Sequence, residues 1–183
     1  MILRPALRLL AACVLLLAAP ALARDLTADE QAGLQARIDS FEAAFEQGDI
    51  DAVFTVIPPG ILATTAETYD ITEAQVLAAM KEALTEAMKS AAIEEYRIDL
   101  ASATVGETAA GRVYVLIPTT AYIRLDGQDE TRRSDTVTLA FQDGDAWYLV
   151  RIDDVQQVGI LETAYPDFKG VDFSEGGTTK GEE

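Results

Sequence analysis

Histidine is absent from this 183-residue chain, and cysteine occurs once, at Cys13. The first absence removes the commonest general base and the commonest metal ligand. The second excludes an intrachain disulfide and a zinc–thiolate centre. Positive charge is scarce as well: 14 Lys and Arg face 31 Asp and Glu, for a formal net charge of −17. That imbalance repels phosphates, so it argues against nucleic acid and anionic membrane surfaces as partners. Only one long apolar run is present, at the N-terminus, and it falls short of the about 20 residues that a membrane span needs.

That run belongs to the opening MILRPALRLLAACVLLLAAPALA. Arg4 and Arg8, the apolar centre and the small residues Ala21 and Ala23 describe a cleavable secretory signal cut after Ala23. No arginine pair precedes it, which argues against a twin-arginine address. Leu10-Ala11-Ala12-Cys13 resembles a lipobox, but the apolar run continues past Cys13, so cleavage after Ala23 is preferred over a lipid anchor. The expected location is the periplasm or the exterior. Losing Arg4 and Arg8 takes the net charge from −17 to −19 in the remaining residues. Enough chain is left for one domain with a proper core.

Thr27-Ala28-Asp29-Glu30 is a capping box, and Leu34, Ile38, Phe41 and Phe45 follow on one helical face. Gly48 ends that helix. Asp49 caps a short second one that must stop near Pro58-Pro59, and Leu62, Ala66 and Tyr69 hint at further helical turns. Thr72 starts a longer helix with the stripe Leu77, Met80, Leu84, Met88 and Ala91, expected to pack in the core. The period then changes to two: Tyr96, Ile98 and Leu100 alternate with Glu95, Arg97 and Asp99. A polar loop through Gly106 and Gly111 leads to a long strand over 112–125, with Pro118 at an edge, bulge or bend. Asp126-Gly127 and Asp143-Gly144 are hairpin turns around strands 131–141 and AWYLVRI. Val155, Val158, Leu161 and Tyr165 mark a last short helix before Pro166. The fold class is α+β, N-terminal helices packed on a strongly bent antiparallel sheet. Its domain spans 24–166, and 167–183 form a disordered acidic tail.

Two segments carry a family resemblance. Phe45-Glu46-Gln47-Gly48-Asp49-Ile50-Asp51-Ala52-Val53-Phe54 is similar to the "helix, Gly-Asp, short helix" entry of the NTF2-like superfamily, the α+β cones. Gly144-Asp145-Ala146-Trp147-Tyr148-Leu149-Val150-Arg151 resembles its last strand. The resemblance implies a bent α+β cone, either hollow or filled by side chains. Because the superfamily includes isomerases, dehydratases, cyclases and transport adaptors, it implies a fold and no single activity. Its aspartate–histidine version of catalysis needs a residue type that this chain lacks.

In the last strand Tyr148, Val150 and Ile152 share one face, expected to meet the core or pocket. Trp147 and Leu149 share the other, expected to be covered by the C-terminal segment or by a second copy in a homodimer; the dimer is preferred. Tyr114, Tyr122, Asp135, Tyr148 and Arg151 are the candidate ligand-binding residues. The acidic groups at Asp126, Asp129 and Glu130, at Asp143 and Asp145, and at Asp153-Asp154 match no calcium loop, so neither metal nor cofactor is expected. A non-catalytic domain binding a small apolar molecule or a protein partner is therefore the first expectation. An isomerase or dehydratase is the alternative, with Asp135 as proton acceptor and a tyrosine as donor, which would require a raised carboxyl pKa.

Overall fold

A computed structural model describes residues 24–176; the leader, its cleavage site and Cys13 lie outside them. Helix α1, Ala28–Glu46, starts where the capping box places it. The Thr27 hydroxyl accepts from the Glu30 amide, and Glu30 accepts from the Thr27 amide at 2.8 Å. Gly48, at φ 66°, takes the left-handed backbone that turns the chain out of the helix. Asp49 caps α2, Ile50–Val53, which a 3₁₀ turn extends to Val56. The expected extra helical turns are a full helix, α3, Pro59–Tyr69, with proline in its first turn, where no amide partner is lost.

Helix α4, Glu73–Ser90, carries a second capping box, Thr72 with Gln75. Its apolar stripe is less covered than expected. Val76 is buried, Leu77, Met80 and Leu84 are half-buried, and Met88 is exposed. Ala91, assigned to that stripe by spacing, is instead the first residue of β1, Ala91–Ile98.

The sheet is antiparallel and curls into a half-barrel. Its order is β1, β3 (Val113–Leu125), β4 (Thr131–Asp143), β5 (Ala146–Ile152). A short strand β2, Thr104–Glu107, pairs with β3 alone and occupies what reads from sequence as polar loop. The Tyr114 ring explains Gly106 within it: a Cβ at 106 would lie 2.3 Å from that ring. Pro118 is tolerated because β1 pairs only as far as Thr119 and β2 only as far as Leu116. The missing amide falls in the gap between those two partners.

Each face of the sheet is covered by the chain itself. On one, Leu34 and Ile38 of α1 bury Val115, Ile117, Ala140, Trp147 and Leu149. On the other, Leu161 of α5 (Val155–Ala164), with Tyr165, Phe168 and Phe173, buries Leu116, Val137, Leu139, Phe141 and Ile152. Trp147 and Leu149 are thus core residues beneath α1 rather than an interface. The C-terminal segment closes the opposite face, that of Val150 and Ile152, and not the Trp147 face over which it was expected. The boundary set at 166 moves accordingly: Phe168 is fully buried and Phe173 joins the same cluster, so order extends into the expected tail. Two aromatic side chains supply enough apolar area to hold an otherwise polar segment.

Candidate functional site

One groove has a volume of about 610 Å³. Its walls are the last turns of α1 (Glu42, Phe45, Glu46), the end of α4 (Met88) and the first six residues of β1 (Ala91 to Tyr96). The α1 stripe explains the apolar wall. Leu34 and Ile38 are fully buried against the sheet, whereas Phe41 and Phe45, further along the same face, are half-buried. They stack at 6.1 Å, and Tyr96 completes a triad at 5.9 Å from Phe41 and 5.6 Å from Phe45.

A β-bulge aims Tyr96. The register of β1 against β3 slips between Ile93 and Glu95, leaving Glu94 as the extra residue. Strict alternation would put Ile93 and Tyr96, three apart, on opposite faces. The bulge returns both to the groove side, while Glu94 turns to Arg124 (2.6 Å) and the Thr131 hydroxyl (2.7 Å). Those bonds, Arg124 first, hold the Glu94 carboxyl below its ordinary pKa.

Behind the ring, Thr138 lies near Tyr96 and its own hydroxyl meets Thr119 at 2.8 Å. Thr119 in turn donates to the Ile117 carbonyl. Both threonines are almost fully buried, so this chain satisfies hydroxyls that would otherwise be costly to enclose. Burial raises the phenol pKa of Tyr96, against the opposing effects of Thr138 and Arg151, and keeps the ring neutral. Glu42 is also raised, by partial burial and then by repulsion from Asp39 and Glu46.

The five residues singled out from sequence do not converge. Tyr114 is buried on the α5 face against Phe168, at a ring separation of 5.9 Å. Tyr122 and Asp135 share that face near Arg133, away from the groove. Asp135 accepts from Thr120 (2.7 Å) and Arg133 (2.9 Å), which hold its pKa low. A proton acceptor for chemistry beside a carbonyl needs the opposite shift, so the Asp135–tyrosine arrangement is not supported. Tyr148 lies on the edge strand with the Arg37 guanidinium 5.9 Å from its ring centre. Arg151 alone adjoins the groove, through Tyr96, and is ion-paired to Asp153 at 3.0 Å. Phe45, Tyr96 and Glu42 were missed. The available signal was the α1 stripe continuing into a last turn that holds Glu42 and Glu46 and no basic residue.

A second, shallower depression of about 330 Å³ surrounds Arg112. Its polar groups are already engaged: Arg112 bonds Asp167 and the Gln142 carbonyl, both at 2.7 Å. This is a clamp on the C-terminal segment rather than an open site. Among the described residues no group of three or more acidic side chains is placed to hold a metal ion, and no helix is long and apolar enough to cross a membrane.

No family model matches the chain, and no curated protein or solved structure is similar to it. The arrangement of helices on a curled antiparallel sheet is compatible with a cone-like α+β fold.

Proposed function

We propose that this chain is an exported, NTF2-like binding domain whose groove takes a small, largely apolar molecule. The observation that carries the proposal is the groove of about 610 Å³ walled by Phe45, Met88, Ile93 and Tyr96. Its volume lies within the range of small-molecule sites, roughly 300–1,000 Å³, and its aromatic lining is of the usual kind. The secretory leader supports export to the periplasm or beyond. The order of elements, helices first and then a curled antiparallel meander, supports the NTF2-like assignment. A binding role is favoured over proton transfer because the carboxylate nominated as base, Asp135, is engaged by Thr120 and Arg133 outside the groove.

Calorimetric titration with short-chain alcohols and aromatic alcohols tests the proposal. Saturable heats that Tyr96→Ala or Phe45→Ala abolish are expected. The absence of binding by every ligand would refute it. Trp147 fluorescence is a poor reporter, because its indole packs on Gly33, twelve residues from Phe45 and so roughly 18 Å along the helix.

A further inference from the structure

The groove is electrostatically one-sided. Four glutamates line it, but Glu94 is paired with Arg124 and Glu95 with Arg97, so β1 brings its own counter-charges. Glu42 and Glu46 on the α1 wall have no ion-pair partner among the described residues. They lie at i and i+4 on one helix, where like charges repel. They also occupy its last turns, where the helix dipole places roughly half a negative charge. The C-terminal end of α4, at Ser90, adds a second such dipole end beside Met88. Helix stability alone favours lysine or arginine here, and none is present in the last turn of α1. In the same groove the half-buried Phe45 and Tyr96 offer aromatic surface, 5.6 Å apart between ring centres. Carboxylates beside aromatic faces are complementary to an organic cation: the rings attract it through their quadrupoles, and the carboxylates supply the balancing charge.

We propose that the molecule bound in the groove is a cationic amphiphile, an amine or quaternary ammonium with an apolar tail. Its head lies at Glu42 and Glu46 against the Phe45 and Tyr96 rings, and its tail runs over Ile93 and Met88. The inference rests on the binding role proposed above and specifies its ligand class. The overall charge of the chain, −17, adds long-range attraction for such a ligand.

The test uses one eight-carbon tail with three heads: octyltrimethylammonium, octanol and octanoate, each titrated by calorimetry at low and at high salt. The cation is expected to bind about tenfold more tightly than the alcohol at low salt, as a contact near a partly screened carboxylate allows. That advantage shrinks at high salt. Glu42→Gln/Glu46→Gln removes the preference, so that on this variant the cation binds no more tightly than octanol. Circular dichroism checks the fold of the double variant, and Glu46→Gln alone, at an exposed position, serves as the second variant with a smaller loss. Equal affinity for all three heads, or a preference that survives the double substitution, overturns the cationic assignment and leaves the binding role standing. If none of the three binds, both fall.

Discussion

Arg112→Ala is expected to loosen the whole C-terminal cover of the sheet. The side chain donates from Nε to Asp167 at 2.7 Å and from a terminal nitrogen to the Gln142 carbonyl at 2.7 Å. Its guanidinium also lies 5.6 Å from the centre of the Phe141 ring and 5.1 Å from that of Tyr165. Arg112 and Asp167 side chains are 24% and 15% exposed, so solvent screens the pair only partly. A hydrogen bond between charged partners contributes about 1.5–3 kcal/mol and one to a carbonyl about 1 kcal/mol. The ring contacts add roughly 0.5–1 kcal/mol. Thr108 still donates to Asp167 in the variant at 3.1 Å, which offsets part of the loss. A net destabilisation of about 3 kcal/mol follows, or roughly 6–12 °C in Tm for a domain of this size. Thermal melts followed by circular dichroism read the shift, and hydrogen exchange should localise it to α5 and the turns after it. Arg112→Lys should fall between, because an ammonium can reach Asp167 but cannot serve the carbonyl and both rings at once. A melting temperature for Arg112→Ala within about 1 °C of the parent would refute this account of the clamp.

Gly106→Ala should cost about 1–3 kcal/mol in urea unfolding, since the new methyl would meet the Tyr114 ring, itself packed on Phe168. Thr138→Val should cost about 1–2 kcal/mol by the same measurement, because it removes the buried hydroxyl that Thr119 meets at 2.8 Å. The acid limb of stability should report Glu30. Its carboxyl is pushed down to about 2, chiefly by the hydrogen bond from Arg24 and despite partial burial. Because the folded pKa lies below the ordinary 4.5, the stabilisation is complete above 4.5 and is lost as pH falls towards about 2. Glu30→Gln keeps an acceptor for the Thr27 amide and should flatten that limb; an unchanged acid profile would count against the ion pair.

The local signals in this chain were strong because each element declares its own ends. Thr27 with Glu30 and Thr72 with Gln75 satisfy helix-start amides from within four residues. The glycines at 127 and 144 take the positive φ that the hairpin turns demand. The change of period after α4 announces the sheet, so helices on an antiparallel meander were legible without coordinates. The candidate site was not. Tyr96 faces the groove because of a one-residue slip at Glu94, and a bulge has no signature in the alternation of a single strand. Tyr114, Tyr122 and Asp135 looked promising by type. Whether they converge depends on which sheet face each occupies and what covers it, and here that face lies under the C-terminal segment rather than over the groove.

Capping, turn chemistry and hydrophobic period act over a few residues, so the chain by itself determined the order and kind of its main elements, its acidity and the absence of imidazole chemistry. Coverage is a long-range property. An apolar strand face reads identically whether a second copy, a ligand or the chain's own Phe168 lies against it. Only the folded arrangement decided that Trp147 belongs under α1, that Phe168 and Phe173 close the opposite face, and that Glu42, Phe45 and Tyr96 are left around an open groove.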